Sequence, residues 1–320
     1  MPVPTAPPSA RPPSACAALR LAALAATLAA ATLAAGASAG AAHAQEPAAR
    51  PLLWRVADAD SRVYLLGSVH ALPAGTDVLP GAAADAYADA EVVAFEVDLS
   101  TAQAALAGVV ATATATDGVD LSKRLGPADA ARLGARLARG GLVLADVEAF
   151  EPWFVALLLA GVPDGGVRYD AAAGVDVQLH ARAGTDGRER VALETAADQL
   201  DALGGLPLKD QLAFLRDALA DDTDDGGGFA AIIAAWQAGD ADALARLLAD
   251  GASASPILRQ RVFTDRNARW TPQIEALLAR ADAAGRPQDA LVVVGAGHLV
   301  GPDSVVEMLR ARGLDVARVE

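Results

Sequence analysis

Two stretches decide the fold: VYLLGSVH at residues 63–70 and ALVVVGAGH at residues 290–298. Each is a run of β-branched and other apolar residues that predicts a buried strand, and each ends in Gly-x-x-His. A glycine at the end of a buried strand lets the backbone turn sharply, or approach another group closely, without a Cβ clash. The histidine three residues later is then expected at the rim of the sheet, where open α/β sheets bind ligands.

Histidine is scarce in this chain, which gives the repeated motif its weight. The four histidines are His43, His70, His180 and His298. His43 falls in a predicted leader, so two of the remaining three end a Gly-x-x-His motif. We therefore expect Gly67 and Gly295 to support two half-sites whose histidines face one pocket.

The first 44 residues have the layout of a secretory signal peptide. Arg11 and Arg20 precede an apolar stretch of small residues that ends in Ala-His-Ala, the pattern of a cleavage site. We predict a signal peptide at 1–44, a linker at 45–51 and a single domain at 52–320, in a periplasmic or secreted protein. Cleavage would remove the only cysteine, Cys16, and with it any disulfide or thiolate ligand.

The charge of the chain limits its partners. The full chain has a formal net charge of −14, and residues 1–44 hold two of the 26 basic residues and none of the 40 acidic ones, so the mature charge would be −16. Such an acidic chain is not expected to bind nucleic acid or an anionic membrane surface. The predicted partner is a peptide or small-molecule substrate, and the cleaved protein is predicted not to be an integral membrane protein.

The pattern along the chain predicts an α/β (α+β) fold. Apolar runs at 52–56 and 62–66 flank the turn-forming ADADS and predict a β-hairpin. EVVAFEVDL, RERVALET and the final DVARVE predict further strands, whereas 101–183 and most of 207–282 have helical periodicity. We expect a central mixed sheet flanked by helices, with the two half-sites meeting at strand ends and a long helical insertion in the middle.

Two carboxylates follow predicted strands in the same way as the histidines. Glu96 is the first charge after VVAF, and Glu194 ends RVALE; an exposed surface glutamate is the alternative interpretation. Two imidazoles and a carboxylate are suitable ligands for a divalent metal ion, which lowers the pKa of bound water. We predict a Mn, Co or Zn ion held by His70, Glu96 and His298, with Glu194 in support.

FTDRNARW at residues 263–270 predicts a polar pair on an inward helix face. Helical spacing places Arg266 and Asn267 between Phe263 and Trp270. A buried arginine needs a partner, because an unpaired buried charge is very costly. The alternative is an arginine whose stem packs while its guanidinium reaches water. Pro272 is expected to kink or restart this helix.

This helix completes a set of motifs that also contains LLWRV, VYLLGSVHALP, VVAFEVD, GVDVQLHARA, RVALET with the following Gln199, and LVVVGAGHLVGPDSVVEMLRARGLDVARV. In these motifs the chain resembles the TraB/PrgY/GumN family over about residues 52–320. It is more distantly similar to the metal-dependent Tiki proteases and the erythromycin esterases. The resemblance implies a shared α/β fold and the site residues His70, Glu96, Arg266, Asn267 and His298. Family members often have Glu where this chain has Asp265. Tiki relatives are peptidases, the esterases cleave a lactone, PrgY-like members are associated with pheromone shutdown, and another relative binds haem.

Three functions follow as hypotheses. In a metal-dependent hydrolase, for example a peptidase, His70 and His298 would bind the metal or act as base, and Glu96 would complete the site. Arg266 would stabilise the oxyanion and Asn267 would orient the ligand. The second hypothesis is a protein that sequesters a peptide or a cofactor such as haem without turnover. The third, a serine hydrolase using Ser68, lacks the G-x-S-x-G signature.

GVDVQLH supplies two further candidates. Asp176 and His180 are four residues apart and can pair on one helix face. We expect a structural or solvent-exposed role for His180, which lacks the strand-end context of the other two. Asp176 is the better candidate for supporting the site, although a helix-surface charge is the simpler interpretation.

Overall fold

The computed structural model describes residues 50–320 except 161, 163–168, 221–226 and 251–254. The predicted signal peptide and most of the predicted linker lie outside the described residues. The centre of the fold is a six-stranded sheet. Its strands are β1 (Leu53–Ala57), β2 (Arg62–Ser68), β3 (Val92–Phe95), β4 (Glu189–Ala192), β5 (Ala290–Gly295) and β6 (Val316–Val319).

The sheet is mixed, as the sequence predicts. Its strand order is β4-β3-β5-β2-β1-β6. Strands β4, β3, β5 and β2 are parallel, whereas β1 pairs antiparallel with both β2 and β6. The carboxyl ends of four parallel strands therefore meet at one edge. Both Gly-x-x-His motifs end at this edge.

The predicted hairpin is present, and its turn has a simple cause. Asp58 Oδ1 accepts the backbone N–H of Ser61 at 2.9 Å and that of Asp60 at 3.2 Å. These side-chain bonds add to the backbone bond from the Asp58 N–H to the Ser61 carbonyl, at 3.2 Å, where the chain reverses. The turn sets the register in which Leu53 faces Leu66 across the two strands.

Helices account for the rest of the fold. They are α1 (Ala82–Asp89), α2 (Leu99–Ala113), α3 (Leu121–Leu125), α4 (Pro127–Arg139), α5 (Pro152–Ala160), α6 (Val175–Thr185), α7 (Ala196–Gly204), α8 (Leu208–Ala220), α9 (Gly227–Ala238), α10 (Ala241–Asp250), α11 (Pro256–Arg259), α12 (Asp265–Leu278) and α13 (Val305–Ala311). A π-helical turn, Gln260–Thr264, joins α11 to α12, and α12 runs through Pro272 without a break.

Two apolar clusters stabilise the protein. The larger contains the sheet and the helices that cover it. The second lies among the helices of the insertion, with members between Ala113 and Val162 and at Leu215 and Leu219, and it includes the fully buried Trp153. The predicted insertion thus has a core of its own, while the site is built on the sheet. Within the described chain, no helix combines the length and apolar character needed to cross a membrane.

Gly67 allows the close packing expected of it at the end of β2. A Cβ added there would lie 3.1 Å from the Cβ atoms of both Ala296 and Leu52. Its backbone carbonyl also accepts the indole N–H of Trp236 at 2.8 Å. Ala296 lies between Gly295 and His298, so the glycine of the first Gly-x-x-His motif packs directly against the second motif.

Candidate functional site

The predicted site residues converge around the Cα of Gly295, at the end of β5. A Cβ added to Gly295 would lie 3.2 Å from Glu96 Oε1, 3.5 Å from His298 Cδ2 and 3.8 Å from His70 Nε2. The His298 Nε2 atom lies 3.9 Å from Glu96 Oε1. Side chains from the ends of β2, β3 and β5 therefore surround one small space, as the repeated motif predicts.

Glu96 lies at the centre of this arrangement. Its Oε1 accepts the N–H of Gly295 at 2.7 Å, and its Oε2 accepts from Arg266 Nη2 at 2.6 Å and from Gln199 Nε2 at 2.9 Å. Burial alone would raise the pKa of Glu96, but His298, Arg266 and His70 outweigh it and lower the pKa to about 2. Glu96 is therefore a carboxylate at neutral pH.

The guanidinium of Arg266 is buried, as the inward-face interpretation predicts, and only 8% of its side chain is exposed. Nε donates to Glu194 Oε1 at 3.0 Å, and Nη2 donates to Glu194 Oε1 at 2.7 Å and to Glu96 Oε2. Nη1 lies 3.1 Å from the carbonyl of Val262 and 3.2 Å from His298 Nε2. All five N–H groups of the guanidinium are therefore engaged.

This saturation changes the role of Arg266. The sequence suggested that it stabilises an oxyanion, which requires an N–H directed at substrate. No such donor is free in this arrangement, so Arg266 instead neutralises Glu96 and Glu194. The π-helical turn contributes, because the carbonyl of Val262 within it accepts from the arginine side chain, and π-helical turns are frequent at functional sites.

Glu194 follows β4 and is buried, as a supporting residue should be. Besides Arg266, it accepts the indole N–H of Trp270 at 3.1 Å through Oε2. The Arg266 guanidinium lies over the Trp270 ring, 4.6 Å from its centre. Arg269, whose side chain is half exposed, lies 3.6 Å from the same oxygen. Glu194 thus anchors the arginine that holds Glu96.

His298 is a neutral, buried imidazole. Asn267 Nδ2 donates to the carbonyl of Asp303 at 2.7 Å, so Asn267 Oδ1 is the atom that lies 2.6 Å from His298 Nδ1. The hydrogen is therefore assigned to Nδ1, which leaves the Nε2 lone pair to accept from Arg266. Burial lowers the pKa of His298 to about 3, although Glu96 opposes the shift. The ring also packs against Trp270, with centroids 4.5 Å apart.

His70 has the opposite environment. About two-thirds of its side chain is exposed, and its Nδ1 lies 3.1 Å from Asp176 Oδ1. The carboxylate of Asp176 raises the pKa of His70 to about 9, with a smaller contribution from Glu96 and against the effect of desolvation. His70 is therefore a cation at neutral pH. Its Nδ1–H donates to Asp176, and its Nε2–H is directed toward the space above Gly295.

His180 is structural, as expected, but its partner is not Asp176. Its Nε2 lies 3.1 Å from Asp98 Oδ1, and its Nδ1 lies 3.3 Å from Arg190 Nη1. Burial and the charge of Arg190 lower the pKa of His180, and Asp98 opposes the shift. The side chain is buried, so the solvent-exposed alternative is wrong. Asp176 instead pairs with His70, which places it in the site.

The side chains as arranged do not fit the divalent ion predicted from the sequence. Among the residues that the structure describes, no three His, Cys, Asp or Glu side chains are spaced to hold a metal ion. An ion held by Glu96 and His298 Nε2 would have to displace the Arg266 guanidinium, which contacts both. A Mn, Co or Zn ion held by His70, Glu96 and His298 therefore stays a prediction and requires Arg266 to move.

Gln199 is a further contact of Glu96, and sequence reasoning assigns it no role. It lies in α7, five residues after Glu194, and is only partly buried. Its position in the first turns of the helix that follows β4 was the available signal. The resemblance includes this glutamine after RVALET, but it assigns the side chain no contact and no role.

Comparison with known proteins agrees with the resemblance of the motifs. Residues 52–318 match the family model described as the TraB/PrgY/gumN family. No curated protein and no solved structure matches the chain. The match covers most of the chain and all the residues that surround Gly295. The protein therefore belongs to the TraB/PrgY/gumN family.

Proposed function

We propose that the protein is a hydrolase that cleaves an ester, lactone or peptide bond, and that it acts outside the cytoplasm, as the signal peptide predicted from the sequence would imply. One observation carries the proposal: a cationic imidazole and an ionised carboxylate face the same small space above Gly295. This space lies at the carboxyl ends of parallel strands, where α/β proteins bind their ligands. An acid and a base whose pKa values are driven apart are the usual groups of hydrolytic sites.

In the proposed reaction, Glu96 orients a water molecule and accepts its proton as the oxygen attacks the carbonyl carbon. His70 donates its Nε2–H to the carbonyl oxygen and stabilises the negative charge that develops there. When the C–O or C–N bond breaks, His70 gives its proton to the leaving group, and the proton on Glu96 returns to His70 through water. With a pKa of about 9, His70 is an acid at neutral pH, not the base considered from the sequence.

Four buried groups keep Glu96 in place for this role. Arg266 and the Gly295 N–H bind its two oxygens, Glu194 holds Arg266, and neutral His298 contacts Arg266 from the other side. None of these contacts requires movement during the reaction. Preorganised charges of this kind contribute most when they need no rearrangement as the reaction proceeds.

Hydrolysis is tested with the purified chain, chromogenic short-chain esters, a lactone and a fluorogenic peptide library, each with EDTA and with added Mn²⁺, Co²⁺ or Zn²⁺. The diagnostic variant is Gly295→Ala, whose methyl group would fill the space between Glu96, His298 and His70 while touching only side-chain atoms. Its backbone angles, φ −49° and ψ 132°, suit alanine, so the fold should survive. Gly134→Ala in α4 is the control, because a Cβ there meets nothing within 4 Å.

We expect turnover with EDTA present, lost in Gly295→Ala and His70→Ala and kept in Gly134→Ala. Turnover only with an added metal would still support a hydrolase. It would also show that Arg266 moves away from Glu96 and His298 when the metal binds. Binding of peptide or haem without turnover under any condition would favour the sequestering protein instead. Full activity in Gly295→Ala would contradict the proposed site.

A further inference from the structure

Gly174, just before α6, lies closer to the His70 backbone than any side chain allows. A Cβ added to Gly174 would lie 2.4 Å from the carbonyl oxygen of His70 and 2.8 Å from its carbonyl carbon. The backbone angles of Gly174, φ −59° and ψ 145°, are open to every residue. The glycine is therefore required by the contact and not by its conformation.

Two sets of backbone hydrogen bonds hold the chain segments together at this point. The N–H of Val175 donates to the carbonyl of Val69 at 3.0 Å. Further along, Leu72 and Asp170 exchange two bonds, of 3.2 and 2.9 Å. The loop that carries His70 is thus fixed to the segment that leads into α6, and Gly174 lies at the narrowest place between them.

The first turn of α6 then places Asp176 beside His70. Asp176 is two residues after Gly174, and its Oδ1 lies 3.1 Å from His70 Nδ1. We propose that Gly174 is a positioning residue that holds the imidazole of His70 against the carboxylate of Asp176. A role of Gly174 in catalysis rests on the proposed function. The contact between His70 and Asp176 can be measured without a substrate.

The test is Gly174→Ala, followed by NMR titration of His70 in the full chain. Carbon and oxygen do not approach to 2.4 Å, so the methyl group must push the His70 backbone away from α6. We expect the pKa of His70 to fall from about 9 toward its ordinary value of 6.5. The alkaline limit of hydrolysis should move with it. Gly134→Ala should leave the titration unchanged.

Two further variants show whether the shift acts through Asp176. Gly174→Ala combined with Asp176→Asn should titrate like Asp176→Asn alone, because the contact is already lost. Gly174→Ala combined with Asp176→Glu should recover part of the shift, since the longer side chain reaches the displaced imidazole. A merely structural effect of the methyl group would give neither result.

If Gly174→Ala does not fold, Asp170→Ala decides the question. The Asp170 side chain accepts the N–H of Ala172 at 2.9 Å and forms the turn that presents Gly174, so its loss loosens the segment without adding an atom near His70. A lower His70 pKa supports the proposal. An unchanged pKa in folded Gly174→Ala, or in Asp170→Ala when the first variant is unfolded, overturns it. Absence of hydrolysis with an altered titration would count only against the proposed function.

Discussion

His70 and His298 end the same four-residue motif at neighbouring parallel strands, yet their environments are opposite. His70 is about two-thirds exposed and its pKa is raised to about 9, whereas His298 is 5% exposed and its pKa is lowered to about 3. The motif fixes where each histidine lies. Its charge is set by its surroundings: the carboxylate of Asp176 for His70, and burial together with the charge of Arg266 for His298.

The difference explains how one site can contain both an acid, His70, and a neutral imidazole, His298, that contacts Arg266. Next to His70 is an anion with access to solvent, and this favours the imidazolium form. Next to His298 is a buried cation, and this favours the neutral ring. Changing Asp176 should therefore alter the pKa of His70 and leave that of His298 almost unaffected, because Asp176 pairs with His70 and not with His298.

The largest effect is expected on the His298 side, from Arg266→Ala. This change leaves Glu96 and Glu194 buried without their partner, and removing one member of a buried ion pair costs about 3–5 kcal/mol. Urea unfolding should show a loss of this size in the free energy of unfolding, together with loss of turnover. Arg266→Lys should recover only part of it, because lysine keeps the charge but lacks the planar fork.

Arg269→Ala is the matched control on the same helix. Arg269 is half exposed and lies 3.6 Å from Glu194, so its pair is expected to contribute less than about 1 kcal/mol. If Arg266→Ala unfolds at the same urea concentration as Arg269→Ala, the buried ion pairs of Arg266 with Glu96 and Glu194 do not stabilise the fold.

The second prediction concerns acid stability. Because the pKa of His298 is lowered when folded, the unfolded chain binds a proton more readily. The part of the stability that depends on neutral His298 is therefore complete above pH 6.5 and is lost as the pH drops from 6.5 toward 3. The loss should be about 2 kcal/mol over the first one and a half pH units. Protonation of Glu96 adds to this loss of stability only between pH 4.5 and 2.

Urea midpoints measured across this pH range check the effect of His298. In His298→Gln the side chain no longer titrates, so the decline between pH 6.5 and 4.5 should become shallower. An equally steep decline in this variant would assign the acid sensitivity to another group.

A smaller effect is expected on the His70 side, from Asp176→Asn. Loss of the carboxylate should lower the pKa of His70 from about 9 toward 6.5, leaving only the weaker influence of Glu96. Turnover needs the protonated form of His70, so the alkaline limit of the pH–rate profile should move to a lower pH. Stability should change by less than about 1 kcal/mol, because the His70 side of the pair is exposed to solvent. A pH–rate profile with the same alkaline limit as the parent would exclude His70 as the acid.

Ser68→Ala should have the smallest effect. Among the described residues, the buried Ser68 Oγ has no hydrogen-bond partner, so no base activates it as a nucleophile. Its removal should change stability by about 0.5 kcal/mol or less and leave turnover intact. Loss of turnover in a folded Ser68→Ala protein would revive the serine hydrolase hypothesis.

Much of the fold follows from the sequence, because periodicity and turn chemistry are local. The hairpin, β3, β4, β5 and most helices lie where the patterns predict them. The convergence at Gly295 is also predictable, since Gly-x-x-His and the carboxylates share one position relative to parallel strands. The inward face of the helix that carries Arg266 follows from three- and four-residue spacing.

The charge states could not be predicted, because they depend on contacts between residues far apart in the chain. Asp176 pairs with His70, 106 positions away, and not with His180, four positions away on its own helix. The five bonds of Arg266 and the hydrogen on His298 Nδ1 depend in the same way on groups from several elements. Spacing identifies which residues belong to the site, and three-dimensional contacts decide what each one does.

The most direct test of this account is an NMR titration of both imidazoles in the same protein, with the Cε1–H resonances assigned by His70→Asn and His298→Asn. We predict that His70 stays protonated until about pH 9, and that His298 stays neutral down to about pH 3 unless the protein unfolds first. Two histidines that both titrate near 6.5 in the folded protein would contradict the account.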